Sequence, residues 1–344
     1  MPKVSIVIPV YNASHWLRQS LDSALGQTLR DIEVICVNDG STDESAAILA
    51  DYAAKDVRVR VVEQENAGQG AARNRGMEAA KGEFVAFLDA DDLYPDGNVL
   101  ADLVAAAERN GVDVCGGSLE ELLPNGAVRS SFDESASGLV FRAEGKIDFR
   151  DYAYDYGYYR FIYRLALLRR GKIEFPDYRR FQDPPFMVRA LSAAGVFYAI
   201  RRATYRYRVE LRSVDWRKDG MLRARDLLRG LADVARQAKA LDLPRLADVV
   251  LRQSCEQFAE VILDDEIAKC CRVEFAELCR AFQVLDVESL LGLPYPGRTL
   301  PALRRAKLLF RRKFRVLFLV CRFASDVVRY GLSYASGRFR GAAG

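Results

Sequence analysis

The sequence is poor in the residues from which histidine and cysteine sites are built. Its 344 residues include one histidine and seven scattered cysteines with no CxxC pair. An odd, scattered set predicts neither a disulfide framework nor a zinc site and favours a reducing compartment. His15 has no second histidine with which to form a triad or a metal site, and we expect it to be a helix-face residue. Carboxylates must therefore carry any acid–base chemistry.

Long apolar runs are also missing. The longest run near the carboxyl end, Val316 to Cys321, has six residues, whereas a bilayer span needs roughly 20. The amino terminus passes directly into a strand pattern, without the basic start, apolar core and cleavage site of a secretory signal. We therefore expect no membrane span and no export. Half of the residues are apolar, which is enough for a substantial core.

Positive charge is concentrated at one end. The net charge is only +4, yet residues 298–344 contain twelve Arg or Lys and a single acid, Asp326. This imbalance favours a polyanionic partner, either acidic lipid headgroups or nucleic acid. Apolar residues recur there at spacings of three and four, with arginines on other faces, which suits a helix lying in a membrane interface. The same pattern suits a terminal helix packed on its own domain.

Strands and helices alternate through the first third of the chain. Apolar, β-branched runs predict five strands, at residues 3–10, 32–38, 57–62, 84–88 and 112–119. Their hydrophobicity is continuous rather than alternating, and helices of a dozen or so residues separate them. This pattern is typical of a parallel sheet covered on both faces. We predict an α/β fold with a doubly wound, mostly parallel sheet, followed by a helical C-terminal region from residue 215.

Polar residues follow the predicted strands at one edge of this sheet. Tyr11 follows the first strand, Asp39 ends the second, and Asp89, Asp91 and Asp92 follow the fourth. Ligands of such sheets bind beyond the carboxyl ends of the strands. Clustered carboxylates raise one another's pKa unless something positive lies among them. The edge therefore predicts a site for a divalent cation and a metal-bound nucleotide.

The middle of the chain has a less regular pattern. Residues 124–126 predict a hairpin turn, and residues 196–208 predict a strand and a return. Asp183 heads a predicted helix, Pro184 to Ala194, where prolines at the start are favourable. The tyrosines between positions 152 and 163 fit a wall that stacks on sugars, and they fit core packing equally well.

Four ordered motifs resemble a known family. They are VSIVIPVYNAS (4–14), VICVNDGSTDES (34–45), NAGQGAARNRGMEAAKGEFVAFLDADD (66–92) and QDPPF (182–186). Together they are similar to the family 2 inverting glycosyltransferases of GT-A fold, over about residues 1–210. The region beyond 215 lies outside the resemblance.

On the nucleotide side, the resemblance implies roles for four residues. Tyr11 matches the residue that stacks on uracil, Asp39 the residue that hydrogen-bonds the base, and Arg73 a nucleotide-contacting arginine. Asp89 matches the first carboxylate of the DxD pair, which approaches the ribose or donor sugar and belongs to the metal site.

On the chemical side, the resemblance assigns Asp91 to direct coordination of Mn²⁺ or Mg²⁺ and Asp183 to the general base. Asp92 is a weaker metal candidate. The family usually has Glu-Asp where this chain has Gln182 and Asp183. A hard cation on carboxylates neutralises a leaving diphosphate, and one base on the opposite face gives a single displacement with inversion. No residue suggests itself as the nucleophile of a retaining reaction.

These expectations combine into one hypothesis about domains and function. A catalytic domain covers residues 1–214, with a nucleotide-binding half at 1–119 and an acceptor-side half at 120–214. A helical region at 215–297 and a basic amphipathic segment at 298–344 follow. The hypothesis is a metal-dependent inverting glycosyltransferase that moves a sugar from a nucleoside diphosphate sugar, a UDP-sugar, to a glycan or lipid-linked hydroxyl in surface polysaccharide or glycolipid synthesis.

Two other functions stay open at this point. One is a sugar-phosphate nucleotidyltransferase, although the Gly-rich basic loop that such enzymes carry after the first strand is not found at Tyr11 to Ser14. The other is a non-enzymatic protein that binds a membrane surface or nucleic acid through its basic end. For the glycosyltransferase, we expect a cytoplasmic location, peripheral at the inner face of the membrane, and no nucleic-acid partner.

Overall fold

The computed structural model describes residues 1–130, 139–209, 220–247 and 249–250, together with four residue pairs at 270–271, 273–274, 277–278 and 280–281. The chain divides into two compact units, Met1–Asp219 and Gly220–Gly344. The basic segment at 298–344 and most of the predicted helices after residue 250 lie outside the described residues.

Nine strands and seven helices make up the described part of the first unit. The strands are β1 (Val4–Val10), β2 (Ile32–Asp39), β3 (Val59–Gln64), β4 (Phe84–Phe87), β5 (Val114–Leu122), β6 (Val128–Ser130), β7 (Gly145–Asp148), β8 (Phe161–Arg164) and β9 (Val196–Arg208). The helices are α1 (Leu17–Leu25), α2 (Ser45–Lys55), α3 (Gln69–Ala79), α4 (Val99–Asn110), α5 (Phe149–Tyr152), α6 (Leu165–Arg170) and α7 (Asp183–Ala194), and a 3₁₀ turn covers Tyr158–Arg160.

The first half of the sheet is parallel, as the apolar runs predict. Its strand order is β3-β2-β1-β4, and β1 pairs in parallel with both β2 and β4. Val4 lies between Ile32 and Phe84 in this register. Every residue of β1, β2 and β4 is buried, because helices cover both faces of a parallel sheet. The carboxyl ends of β1, β2 and β4 therefore lie side by side.

The second half of the sheet differs from the prediction. The fifth strand does not extend the parallel series, because β8 lies between β4 and β5 and is antiparallel to both. Gly116 of β5 makes room for this neighbour: a Cβ there would overlap the ring of Phe161. Beyond β5 come β9, parallel to it, and β7, antiparallel to β9.

Residues 196–208 form one strand rather than a strand and a return. β9 is 13 residues long, and its pairing with β5 contains register shifts between Gly116 and Leu119. Such irregularities bend a strand and strengthen its twist, so β9 continues along β5 instead of turning back. The predicted hairpin at 124–126 is present: Leu123 N–H donates to the Ala127 carbonyl oxygen at 2.8 Å, between β5 and β6.

The described part of the second unit begins with a long helix, α8 (Gly220–Ala240). Its buried residues include Leu227, Leu231, Val234 and Ala238. Their spacing of three and four places them on one stripe, as in an amphipathic helix that packs on one side. Across the described ranges, no helix has the length and apolarity needed to cross a membrane.

Candidate active site

A tight turn after β4 carries the carboxylate loop, residues 89–92. Asp92 N–H donates to the Asp89 carbonyl oxygen at 3.0 Å, which closes the turn. Its three carboxylates differ in exposure: Asp89 is half-buried, Asp91 is exposed, and Asp92 is buried, with 1% of its surface accessible. Two carboxylates of the loop, those of Asp89 and Asp91, therefore reach solvent, whereas that of Asp92 lies in the interior.

Asp92 ties the carboxylate loop to β9. The Tyr205 hydroxyl donates to Oδ2 of Asp92 at 2.7 Å, and Arg208 N–H donates to Oδ1 at 2.7 Å. The Tyr205 oxygen also accepts from Asp89 N–H at 3.1 Å. Burial, together with the charges of Asp91 and Asp89, raises the pKa of Asp92 well above its usual range. Both oxygens of Asp92 are bonded inside the protein, so Asp92 supports the loop, and a part for it in a metal site stays a prediction.

Arg73 joins two candidates that are 94 residues apart in the sequence. Its guanidinium donates from Nη2 to Oδ1 of Asp89 at 2.8 Å and from Nη1 to Oδ1 of Asp183 at 3.2 Å. The side chain is 1% exposed and lies over the rings of Tyr158 and Phe175, 5.0 and 5.3 Å from their centroids. Although burial alone favours its neutral form, the two carboxylates raise the pKa of Arg73. The nucleotide contact implied for Arg73 stays a prediction.

Asp183 is the first residue of α7, followed by two prolines at the positions where a helix tolerates them. Burial raises the pKa of Asp183 to about 6; the nearby Asp89 charge acts in the same direction, and Arg73 and Arg180 oppose it. The carboxyl is half-buried. A group of this kind is mostly ionised at neutral pH yet still able to accept a proton, which is what a general base requires.

The backbone just before Asp183 adopts an unusual conformation. Phe181 has a φ of 59°, in the left-handed region that residues with side chains rarely occupy. Such a residue costs on the order of 1–3 kcal/mol and persists only where its surroundings hold it. Asn12, which follows Tyr11, has a φ of 49°. Asn12 thus adjoins Tyr11, and Phe181 lies two residues before Asp183.

Asp39, the last residue of β2, closes the loop that leads into α3. Its carboxylate accepts hydrogen bonds from Ala67 N–H at 2.8 Å, Gly68 N–H at 2.9 Å and Gln64 Nε2 at 2.7 Å. Because a carboxylate offers about four acceptor positions, little capacity is left for a further donor. The carboxylate shapes the entrance of α3, and its contact with a nucleotide base stays a prediction.

Tyr11 stands on the loop after β1 with half of its surface exposed, 50%. The α2 side of the sheet holds this loop: Asn12 N–H donates to the Ser41 hydroxyl at 3.2 Å, and Ser14 N–H donates to Oδ2 of Asp43 at 3.0 Å. Residues Ser41 to Glu44 have the pattern of a capping box but do not cap α2. The helix begins at Ser45, whose N–H donates to Asp43 at 2.9 Å, so Ser41 is free to hold the loop of Tyr11.

Arg208 lies beside Asp91 at the end of β9. Its Nε donates to the main-chain oxygen of Asp91 at 2.8 Å, and its Nη2 donates to Oε1 of Gln19 at 2.9 Å. The guanidinium also covers the Trp16 ring at 3.8 Å. The sequence pattern did not single out Trp16 or Gln19, and only their position directly after the Tyr11 loop could have suggested them.

The tyrosines of the middle region divide between core and surface. Tyr158, Tyr159 and Tyr163 are buried, whereas Tyr156 is 39% exposed. Tyr156 touches the ring of Tyr159, which stacks on Tyr205 at 4.2 Å. Core packing accounts for most of the cluster, and Tyr156 alone is left as an accessible ring near Asp183.

Asp91 and Asp89 are the side chains that could hold a cation. No group of three or more His, Cys, Asp or Glu side chains capable of holding a metal occurs among the described residues. Two carboxylates still suit Mg²⁺ or Mn²⁺, because hard cations commonly take one or two carboxylates and complete their coordination with substrate phosphates and water. The donor set therefore fits a cation that arrives with a diphosphate.

Comparison with known sequences finds a matching family model over the first half of the chain. Residues 5–172 match the family model of Glycosyl transferase family 2. The uncharacterized glycosyltransferase EpsJ of Bacillus subtilis is 33% identical over 60% of this chain and 61% of its own length. The poly(ribitol-phosphate) beta-glucosyltransferase of Bacillus spizizenii is 35% identical over 55% of this chain and 29% of its own length. The chain thus spans less than two thirds of the curated relatives it matches.

Comparison with solved structures confirms the predicted fold. S. aureus TarS 1-349, in complex with UDP-GlcNAc, has a TM-score of 0.68 at 22% identity, covering 96% of this chain and 92% of that one. The mannosyltransferase PcManGT from Pyrobaculum calidifontis, in complex with GDP-Man and Mn²⁺, has a TM-score of 0.52 at 19% identity, covering 92% and 88%. At these identities the likeness shows the GT-A fold alone.

Proposed function

Because residues 5–172 of this chain match the family model of Glycosyl transferase family 2, we propose that it is a metal-dependent inverting glycosyltransferase. It moves a sugar from a nucleoside diphosphate sugar, a UDP-sugar, to a hydroxyl of a glycan or lipid-linked acceptor. The observation that carries the proposal is the double contact of Arg73, which places Asp183 and the carboxylate loop on opposite arms of one guanidinium.

The donor lies beyond the ends of β1, β2 and β4. Tyr11 supplies an exposed ring for the nucleotide base, and Asp39 borders the base position at the end of β2. Arg73 and Asp89 are on the ribose and sugar side. Arg208, beside the Asp91 main chain, adds a positive charge where the diphosphate would lie. The bound ligands of the structural relatives, UDP-GlcNAc and GDP-Man, support a sugar nucleotide as donor.

Asp91 and Asp89 would hold Mn²⁺ or Mg²⁺ between the protein and the diphosphate. A cation bound there supplies Lewis-acid stabilisation of the negative charge that develops on the leaving diphosphate. The Mn²⁺ of the mannosyltransferase relative supports this requirement. Asp89 already shares its charge with Arg73 at 2.8 Å, so the exposed Asp91 is the stronger ligand of the two.

Asp183 is the general base. Its carboxylate accepts the proton of the acceptor hydroxyl as the hydroxyl oxygen attacks the anomeric carbon and the diphosphate leaves from the opposite face. Arg73 holds one carboxylate oxygen, Oδ1, which leaves Oδ2 for the proton. A single displacement of this kind inverts the anomeric configuration. Tyr156 and Tyr207, each 39% exposed, offer rings on which an acceptor sugar can stack.

The rest of the chain has a supporting role in this proposal. The catalytic domain ends near residue 214, close to the boundary between the compact units at Asp219. The helical region at 215–297 follows it, and the basic segment at 298–344 brings the enzyme to anionic lipid at the inner face of the cytoplasmic membrane, where a lipid-linked acceptor is found.

A donor screen tests the proposal. UDP-glucose, UDP-GlcNAc, UDP-galactose and GDP-mannose are each incubated with the protein and Mn²⁺, and release of UDP or GDP is measured with and without excess chelator. We expect release from one UDP-sugar above the others and its loss in chelator. Full activity in chelator contradicts the metal role, and no release from any donor contradicts the proposed function. Anomeric configuration of the product, by NMR, tests inversion.

A further inference from the structure

One polar side chain of α3 binds the main chain of the segment that leads to Asp183. Nδ2 of Asn74 donates to the carbonyl oxygen of Phe175 at 2.8 Å, and Phe175 N–H donates to Oδ1 of Asn74 at 2.9 Å. The amide thus satisfies both polar groups of one residue, a pairing usually made between two strands. Asn74 and Phe175 are 101 positions apart, so this is a tertiary contact.

Residues 175–183, here called the base segment, follow the surface of α3. A Cβ on Gly70 would lie 3.2 Å from the Pro176 carbonyl oxygen and 3.3 Å from Cγ of Gln182. A Cβ on Gly68, before the helix, would lie 3.6 Å from Cγ of Arg179. The two glycines therefore allow the base segment to approach α3 closely at several points, and Asn74 adds the directional contact at its beginning.

α3 is itself fixed to the sheet. Gly76 lies directly on β1, because a Cβ at that position would overlap the side chain of Val7. At the other end of the base segment, Phe181 adopts its left-handed conformation, which persists only under external constraint. A segment that ends in a strained turn keeps its conformation only where its surroundings constrain it. At the beginning of the base segment, the described hydrogen bonds that provide this constraint are those of Asn74.

We propose that Asn74 is a positioning residue, which holds the base segment on α3 and so sets the place of Asp183 relative to the donor. This inference rests on the proposed function, since it concerns the same base. Asn74 differs from its neighbour Arg73 in one useful respect. Arg73 bonds to both Asp89 and Asp183, whereas within the described part of the chain the Asn74 side chain bonds to the Phe175 backbone alone.

The test compares Asn74→Ala with Asn110→Ala in the full chain. Asn110, at the end of α4, is also a half-buried helical asparagine with one bond to a main-chain oxygen, that of Ala106 at 2.9 Å, and lies outside the site. Turnover and KM are measured with the best UDP-sugar of the screen and Mn²⁺, and UDP affinity is measured by calorimetry. Thermal unfolding reports whether each variant is folded.

We expect Asn74→Ala to lower kcat by about 10²-fold, the effect of a small misplacement of a reacting group. KM for the donor and UDP affinity should stay within about twofold, because the donor contacts are untouched. Asn110→Ala should match the parent protein. Should Asn74→Ala not fold, Asn74→Asp keeps the size and the acceptor but loses the Nδ2 donor, and the same kinetic pattern is expected.

Two results overturn the inference. If both Asn74 variants turn over within about twofold of the parent, Asn74 does not position the base. If kcat and UDP affinity fall together, in step with the melting temperature, Asn74 contributes to folding only. An inactive parent protein is a different failure, since it removes the proposed function together with this inference.

Discussion

Two carboxylates of the site are held in different ways in the two halves of the sheet. On the parallel side, Asp39 receives main-chain N–H groups from Ala67 and Gly68 and has little contact with solvent. On the mixed side, Asp183 is half-exposed and shares the cation Arg73 with Asp89. Main-chain N–H groups hold the Asp39 carboxylate, whereas the positively charged guanidinium of Arg73 holds the Asp183 carboxylate.

The difference matters for chemistry. Three hydrogen-bond donors leave the Asp39 carboxylate little capacity for a further partner. Asp183 lies partly buried near a second carboxylate, and its pKa is raised to about 6. For the proposed roles, the rigid contacts of Asp39 suit recognition of the donor. The burial of Asp183, which raises its pKa against the opposing charge of Arg73, suits uptake of a proton.

The largest expected effect comes from the carboxylate of Asp183. Asp183→Asn removes the proton acceptor but keeps the size and one oxygen for Arg73. We expect turnover to fall by about 10²–10⁴-fold, the usual contribution of a general base. UDP affinity, measured by calorimetry, should change by less than about twofold. Unchanged turnover would place the base elsewhere.

The raised pKa of Asp183 also predicts two pH dependences of opposite sign. Turnover should rise through about pH 6 as the carboxyl ionises. In contrast, the contribution of Asp183 to the free energy of unfolding should decrease as the pH rises from 3.8, the ordinary value, to about 6, because the folded state binds the proton more tightly than the unfolded chain. Denaturant titrations between these values measure the second effect, and Asp183→Asn should abolish it.

A smaller effect is expected from breaking the shared cation. Arg73→Met leaves Asp89 and Asp183 facing each other without the positive charge between them. Removing one partner of a buried ion pair costs about 3–5 kcal/mol, and we expect the free energy of unfolding to fall toward the lower figure, since both carboxylates are part-exposed. Urea unfolding measures this change. Arg30→Met, on an exposed loop residue, is the control.

The smallest effect concerns the connection between the two halves. Tyr205→Phe leaves Oδ2 of Asp92 and the N–H of Asp89 without their partner. Loss of a buried partner costs about 1–3 kcal/mol, so the melting temperature should fall while UDP affinity changes little. A melting temperature equal to that of the parent would show that water or a rearranged Asp92 replaces the hydroxyl.

The sequence predicted the parallel half better than the mixed half, for a physical reason. Continuous apolar runs are a local signal, and β1 to β4 follow it within a few residues. The position of β8 between β4 and β5 depends on how Phe161 fits against Gly116, a contact between distant residues that no local pattern contains. The same holds for β9, whose continuation past residue 203 depends on its register with β5.

For the site, residue types were easier to predict than their partners. Three carboxylates after an apolar strand indicated a polar edge, yet only packing separates Asp92, buried beneath β9, from the exposed Asp91. Arg73 was predicted as one residue of a motif, but its contact with both Asp89 and Asp183 is visible only in the folded structure. Nothing in the sequence indicates the contact of Asn74 with Phe175, except that Asn74 follows Arg73 in the same motif.

The bonds of Asp92 to Tyr205 and Arg208 have a consequence for engineering. The carboxylate loop and the far end of β9 form one unit, although 113 positions separate Asp92 from Tyr205. A chimera that takes residues 1–119 from this chain and the remainder from a relative must keep a hydroxyl and a free N–H at the end of its β9. Without them, Asp92 would be buried with no hydrogen-bond partner for its carboxyl group. Such a chimera would be unstable, and its donor specificity could not be tested.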